Sequence, residues 1–177
     1  MTTVAEPHVD IFPTHPLLVM VQMADGSLRA LAATGDDGGH RASRRTVRIE
    51  AGDLRATCRK AVAARAEAAA RGDEVSVLVD LEVMIDQDAR TARQTLAALD
   101  RPRRTQTLRY VGTGAGLAGL IADIHALQLA DGVTLLPLTD RVLDLIVADA
   151  VSHLHALGIT TAGQPGPTAP QDADPGR

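Results

Sequence analysis

The segment VSVLVDLEVMI, residues 75–85, constrains the fold more than any other part of the sequence. Apolar residues occupy every second position throughout it, and an alternation this long predicts a β-strand. Segments with helical spacing flank the strand: one runs from Asp53, a predicted N-cap, to Arg71, and the other runs from Asp86, a second predicted N-cap, to about Leu99. A strand between two helices predicts an α/β fold.

Short apolar runs and helical segments alternate along the rest of the chain. Further strands are predicted at residues 16–23, 46–49 and 133–138, with a short one at 107–111, and further helices at residues 27–34, ending at Gly35, from the glycines near 114 to about 127, and from the N-cap Thr139 to Gly158. Four alternating units predict parallel strands joined by right-handed crossovers. A closed (β/α)₈ barrel needs roughly 200 residues or more, and a doubly wound sheet usually has five or six strands, so the chain has the pattern of half of a larger fold.

The two ends differ from this pattern in composition. Residues 1–14 show no periodicity, and the tail AGQPGPTAPQDADPGR is rich in proline, glycine and polar residues. Such segments cannot bury a core face. We expect a disordered arm at residues 1–14, one domain at 15–160 and a disordered tail at 161–177.

Composition excludes several classes of function. The chain of 177 residues carries a net charge of −4 and is only 1% aromatic, so it lacks the basic surface and the stacking platforms of nucleic-acid-binding proteins. No apolar run reaches the roughly 20 residues of a membrane span, and no leader segment is recognisable at the N-terminus. Because Cys58 is the one cysteine, a reducing cytoplasm is the expected location. His153 and His155, two apart on a helix, cannot chelate one ion, and we predict no metal site.

Three glycines with the spacing G-x-G-x-x-G, at Gly114, Gly116 and Gly119, match the fingerprint of dinucleotide-binding proteins. That site needs the glycines after the first strand of a βαβ unit and an acidic residue at the end of the second strand. Here the glycines come late in the chain, and Asp131 falls in a turn before a strand. A nicotinamide-binding module is therefore the weakest of three alternatives.

A different resemblance extends over residues 15–158. The segment HPLLVMVQMADGS, the strand and helix at 77–100, and V-G-T, A-D-G-V and L-P at 111–113, 130–133 and 136–137 follow one another in a characteristic order. This order resembles the second half of the barrel in bacterial luciferase-like flavin-dependent monooxygenases. The resemblance implies α/β architecture with four β-α units, corresponding to the second half of a (β/α)₈ TIM barrel.

The resemblance also implies a reduced flavin, FMN or a deazaflavin, with a small-molecule substrate. The implied cofactor-binding residues are Gln22, Gly26, Ser27, Gly112, Thr113 and Gly114. Free N–H groups at the start of a helix suit a phosphate, although the glycines could equally form a plain strand–helix turn and Ser27 could cap a helix. Met23 and Ala24 replace small residues of the family motif, and Gly114 replaces a proline. No catalytic residue is assigned.

Two features of the predicted inner face of the sheet bear on partners. Asp80 and Glu82 share a face and could form an acid–base pair, or could meet water or a subunit. An apolar patch without an opposing half is predicted at Leu18, Met20, Leu78, Met84 and Leu135 or Leu136, which indicates an interface. The leading hypothesis is a truncated flavin oxidoreductase that depends on a homo-oligomer or a complementary half-barrel chain. The alternative is a non-catalytic assembly or regulatory subunit derived from the same barrel.

Overall fold

A computed structural model describes residues 17–33, 45–99 and 102–159. These residues form a mixed α/β fold, as predicted, with one six-stranded sheet and helices packed on it. The predicted disordered arm at residues 1–14 and the predicted tail at 161–177 lie outside the described residues.

The described elements follow one another as strands and helices in chain order. The strands are β1 (Leu18–Gln22), β2 (Leu28–Ala33), β3 (Arg45–Ile49), β4 (Val75–Ile85), β5 (Leu108–Gly112) and β6 (Gly132–Pro137). The helices are α1 (Leu54–Ala69), α2 (Ala89–Ala98), α3 (Gly114–Ala126), α4 (Asp140–Leu145) and α5 (Val151–Ala156), with one π-helical turn (Ile146–Ala150) between the last two.

The long strand β4 organises the sheet. The order is β2-β1-β6-β4-β3, and β5 also pairs with β4. On one side of β4, β3 pairs with Val75–Val79 and β5 pairs with Leu81–Ile85, so the two follow each other along the same edge. On the other side β6 pairs with Leu78–Val83. All of these pairings are parallel.

The helix predicted at residues 27–34 is wrong, because residues 28–33 form strand β2. Gly26 has a φ of +82° in the turn after β1, a conformation that glycine adopts readily. The Asp25 carboxylate accepts a hydrogen bond from the Ser27 backbone N–H at 2.8 Å. This turn directs β2 back along β1 in antiparallel pairing. Tertiary pairing therefore overrides the helical propensity of LRALAA, and the sheet is mostly, not wholly, parallel.

The position of β1 also differs from what four consecutive units predict. In a consecutive run β1 would lie beside β3, whereas it pairs with β6, with Val19 opposite Val133. The short strand predicted at residues 107–111 is present as β5, which pairs with β4. Five strands are therefore parallel to one another, and their order in the sheet is not their order in the chain.

The prediction of an exposed apolar face is wrong in part, because three of its six residues are buried within the single chain. Leu78, Met84 and Leu135 are at most 1% exposed, and Leu18, Met20 and Leu136 are half-buried. Leu78 lies against Gly132, where the missing side chain leaves room for it. Leu135 is one residue out of phase with Leu136 and lies on the opposite face.

Side-chain caps fix the helix starts. Asp53 caps α1 and Thr139 caps α4, as predicted. The predicted cap Asp86 is wrong: Asp88 caps α2 by accepting hydrogen bonds from Arg90 N–H and Thr91 N–H. Asp86 accepts instead from the N–H of Gln87.

Among the helices of residues 17–33, 45–99 and 102–159, none combines the length and the apolar character that a membrane span requires.

Candidate functional site

Side chains from four strands line up near the carboxyl ends of β1 and β6. The register places Gln22 on β1 at the level of Leu136 on β6, Glu82 on β4 and Arg109 on β5. Paired residues of neighbouring strands point to the same face of a sheet. The carboxyl edge of parallel strands is where α/β proteins bind ligands, so this row marks the candidate site.

A cleft of about 380 Å³ opens at this edge, within the size range of small-molecule sites. Its floor is the end of the sheet, and its far wall is the start of α4. The polar side chains that line it are Gln22, Glu82, Arg104, Thr139 and Asp140. The apolar side chains that line it include Met23, Leu136, Pro137 and Leu143.

Glu82 is the buried charge of the cleft, with a side chain only 6% exposed. One of its oxygens, Oε2, accepts from Arg109 Nε at 2.8 Å and lies 2.7 Å from Arg109 Nη2. The other, Oε1, lies 3.7 Å from Nε of Arg104, beyond hydrogen-bonding distance. The carboxylate is therefore neutralised by Arg109 on one side and open toward the cleft on the other.

Asp80, two residues before Glu82, belongs to a separate ion pair. Its two oxygens accept from Nε and Nη2 of Arg48 at 2.9 and 2.7 Å. This hydrogen-bonded contact raises the pKa of Arg48. Because Asp80 and Glu82 each have their own arginine, the geometry does not form the acid–base pair considered from the sequence.

The hairpin carries three of the residues predicted to bind a cofactor. Gln22 lines the cleft. Gly26 and Ser27 lie two to three residues beyond Ala24, another lining residue, in the exposed β1–β2 turn. Ser27 does not begin a helix, so the helix-capping alternative does not apply to it.

The glycine-rich turn carries the other three. Gly112 ends β5, Thr113 caps α3 by accepting from Gly116 N–H at 3.2 Å, and Gly114 is the first residue of the helix. The Tyr110 hydroxyl donates to the carbonyl oxygen of Thr113 at 3.2 Å. A Cβ at Gly112 would lie 2.8 Å from Tyr110 Cζ, and one at Gly116 would meet the Tyr110 hydroxyl. The Tyr110 ring therefore occupies the space that these two glycines leave.

A carboxylate occupies the remaining space at the start of α3. A Cβ at Gly114 would lie 2.8 Å from Cγ of Asp149 and still closer to its Oδ2. Asp149 belongs to the π-helical turn, and its other oxygen lies 3.3 Å from Nε2 of His153. The Asp149 carboxylate therefore lies beside the start of α3, and a negative charge near a helix N-terminus is favourable.

The six predicted residues thus fall into two groups. Gln22 on β1 and Gly112 on β5 are separated by β6 and β4, and three strand spacings correspond to roughly 14 Å. A flavin phosphate at Gly114 would meet the carboxylate of Asp149, and one in the cleft would meet Glu82 and Asp140. The charge of Asp149 therefore disfavours a flavin phosphate at Gly114.

Sequence reasoning missed Arg104, Arg109, Tyr110 and Asp149. Arg109 and Tyr110 are neighbours on the strand just before the glycines, so their side chains point to opposite faces of the sheet. This position on a strand is the one local signal for them. Arg104 and Asp149 are brought in by tertiary packing. Asp131, considered for a ribose, is 4% exposed and accepts from the N–H of Val77 and from Arg65.

No group of His, Cys, Asp and Glu residues suited to a metal ion occurs among residues 17–33, 45–99 and 102–159. The described site contains arginines, carboxylates and one amide around an apolar wall.

Fold and site together define an α/β protein with a mostly parallel sheet and a cleft at the carboxyl ends of its strands. Among solved structures, EDTA monooxygenase (EmoA) from Chelativorans sp. BNC1 is similar, with a TM-score of 0.53 and 20% sequence identity over 71% of this chain and 43% of that chain. At this identity the match shows similarity of fold alone. The chain spans less than half the length of that enzyme. The sequence matches no family model and no curated protein.

Proposed function

We propose that this chain is a luciferase-like subunit that functions within an assembly and does not bind a flavin phosphate in its glycine turn. The observation that carries the proposal is the filled turn, where the Tyr110 ring lies against Gly112 and Gly116 and the Asp149 carboxylate lies against Gly114. A phosphate there would displace one side chain and meet the charge of the other. Like charges in contact are unfavourable.

Partner dependence is supported by the sheet, because β2, its last strand among the described residues, pairs on one side only, with β1. Residues 28–30 of the edge strand β2 are exposed. We propose that the parallel strands correspond to part of a (β/α)₈ barrel, and that a second copy or a complementary half-barrel chain supplies the rest.

A second candidate function is favoured by the place of the cleft. In this alternative the chain is a luciferase-like flavin-dependent monooxygenase or oxidoreductase, and FMN or a deazaflavin enters the cleft beside Gln22 and Arg104. The supporting observation is that the cleft opens at the carboxyl edge of β1 and β6, where barrel enzymes bind cofactors. Glu82 and Asp140 line the same space, which makes this the weaker candidate.

Light scattering and flavin titration of the purified chain test the two functions. We expect a particle mass above the 18.5 kDa of one chain and no saturable quenching of FMN fluorescence. Reduced FMN, titrated anaerobically by calorimetry, should also fail to bind. The variant Asp149→Asn should increase binding of inorganic phosphate, since it removes the charge beside Gly114, and Asp144→Asn, an exposed acid on α4, is the matched control.

Either half of the proposal can fail. A monomer of 18.5 kDa at all concentrations would contradict the assembly. Saturable FMN binding at one per chain would contradict a subunit that works without flavin and would support the second candidate. Loss of that binding in Arg104→Gln would then assign the flavin to the cleft.

We also propose a cytoplasmic location. It is supported by the lone Cys58, a half-buried free cysteine on α1 that requires no oxidising compartment. Fractionation of cells that express the tagged full chain tests it, and recovery outside the cytoplasmic fraction would contradict it.

A further inference from the structure

We propose that the cleft binds a small zwitterion, an α-amino carboxylate with an apolar side chain. The ammonium would face Glu82, the carboxylate would face Arg104, and the side chain would lie along the apolar wall that includes Met23, Leu136 and Leu143. The proposal rests neither on the proposed assembly nor on the glycine turn, and FMN bound in the cleft, as in the second candidate function, would compete with this ligand.

The ammonium position follows from the geometry of Glu82. Both nitrogens of Arg109 that approach this carboxylate contact the same oxygen, Oε2, at 2.8 and 2.7 Å. Oε1 has Arg104 Nε at 3.7 Å, and Glu82 lines the cleft while its side chain is only 6% exposed. A buried carboxylate oxygen gains most from a donor that is itself charged. An ammonium group is such a donor.

The carboxylate position follows from Arg104. Its side chain lines the cleft and is 64% exposed, and its distance from Glu82 leaves its donors available to a ligand. Guanidinium groups bind carboxylates through two parallel hydrogen bonds. Arg104 therefore suits a carboxylate at the mouth of the cleft, while Glu82 suits a cation deeper within it.

The balance of charge selects a zwitterion over a simple anion or cation. Among the lining residues Glu82 and Asp140 supply two negative charges and Arg104 supplies one positive charge, and Arg109, which binds Glu82 from outside the lining, supplies a second. A ligand with net charge gains little from a neutral site, whereas a zwitterion can pair with both signs at once. The apolar wall and the volume of about 380 Å³ accommodate a side chain the size of leucine.

Calorimetric titration of the full chain with three probes tests the proposal. L-leucine carries both charges, 4-methylpentanoate lacks the ammonium, and isoamylamine lacks the carboxylate. We expect leucine to bind saturably and each of the other two to bind at least about tenfold more weakly, which corresponds to roughly 1.4 kcal/mol. In nitrogen-labelled protein, leucine should also shift the side-chain amide signal of Gln22.

The variant Arg104→Gln should weaken leucine binding by about tenfold or more, and Arg103→Gln, which alters the exposed neighbour, should leave it unchanged. Circular dichroism confirms that both variants are folded. Equal binding of leucine and 4-methylpentanoate would overturn the proposal in favour of nonspecific anion binding. Absence of leucine binding, or full retention of it in Arg104→Gln, would also overturn it. The titrations are made without FMN, so none of these results depends on whether the chain also binds FMN.

Discussion

Gly132 begins β6 at a point where three strands meet. Its neighbours in the sheet are Leu18 on β1 and Leu78 on β4. A Cβ here would meet the backbone carbonyl of Leu18 and lie 2.9 Å from Cδ2 of Leu78. The backbone contact cannot be relieved by rotating a side chain, so strand pairing itself requires glycine.

We therefore predict that Gly132→Ala destabilises the protein by about 2 kcal/mol or more, the range of overpacked core substitutions. The control is Gly119→Ala on α3, where a Cβ meets nothing within 4 Å. Alanine in a helix interior is favoured over glycine by roughly 0.5–1 kcal/mol, so this variant should be as stable as the wild type or more so. Urea unfolding measures both, and equal stabilities for the two variants would contradict the packing argument.

At the residue scale, features that depend on neighbouring residues were predictable, whereas contacts between residues far apart in the chain were not. Asp53 and Thr139 were identified as caps because the hydrogen bond they accept comes from a residue three positions on. Glu82 and Arg104 are 22 positions apart, and Asp149 reaches Gly114 from another helix. No periodicity indicates such contacts. The predicted cofactor-binding role of Gln22, Gly26, Ser27, Gly112, Thr113 and Gly114 stays a prediction.

The start of helix α2 depends on the charge of Asp88. Hydrogen bonds from the backbone and side chain of Thr91 lower the pKa of this carboxyl below its ordinary value of 3.8. A lowered pKa means that the charged form stabilises the folded state. The contribution is complete well above pH 3.8 and is lost as the pH falls through the folded-state pKa.

We predict that Asp88→Ala lowers the Tm at pH 7 and that this difference shrinks as the pH falls below 3.8. Asp88→Ser, which keeps a capping oxygen without a titrating charge, should retain most of the stability at pH 7. Thermal unfolding followed by circular dichroism between pH 2.5 and pH 7 measures both. A constant Tm difference across that range would show that the carboxylate does not act through its charge.

At the element scale, long patterned segments were predicted well and short ones were not. β4 and α1 were placed within a few residues, because eleven alternating positions and a sixteen-residue helix carry strong periodic signals. The sequence of β2, LRALAA, predicts a helix because it consists of good helix formers. Only its pairing with β1 makes it a strand. The cap of α2 was misassigned because Asp86 and Asp88 are both plausible from sequence.

Protection of the backbone amides of the sheet against hydrogen exchange should decrease from β4 toward the outer strands. Residues 78–79 and 81–83 of β4 pair on both sides, whereas β2 pairs with β1 alone among the described strands. Amides in doubly paired strands exchange through larger openings than those at edges. We predict the slowest hydrogen exchange in β4 and β6 and the fastest strand exchange in β2.

Hydrogen-exchange mass spectrometry of the chain at several concentrations measures this order. If β2 is as protected as β4 at the lowest concentration, its outer edge is covered within the single chain. Protection of β2 that grows with concentration would instead support pairing with another chain.

At the scale of the whole molecule, the α/β class was predictable and the strand order was not. Alternating strands and helices predict a mostly parallel sheet, which the structure confirms, and the fold is similar to that of EDTA monooxygenase. The order of the strands in the chain does not indicate that β1 lies beside β6 and not beside β3. That choice is made by the packing of the complete chain.

The two sides of the sheet differ in their tendency to aggregate. Because β3 and β5 share one side of β4 in succession, that side is divided between two five-residue strands, and Arg45, Arg48 and Arg109 lie on them. Short, charged edges resist fibril-like stacking between molecules. The opposite side ends in β2, six residues long, with Leu28 exposed and Arg29 the one charge on it. Unwanted association between sheets should therefore start at β2, and a charge introduced at Leu28 is the substitution that would suppress it.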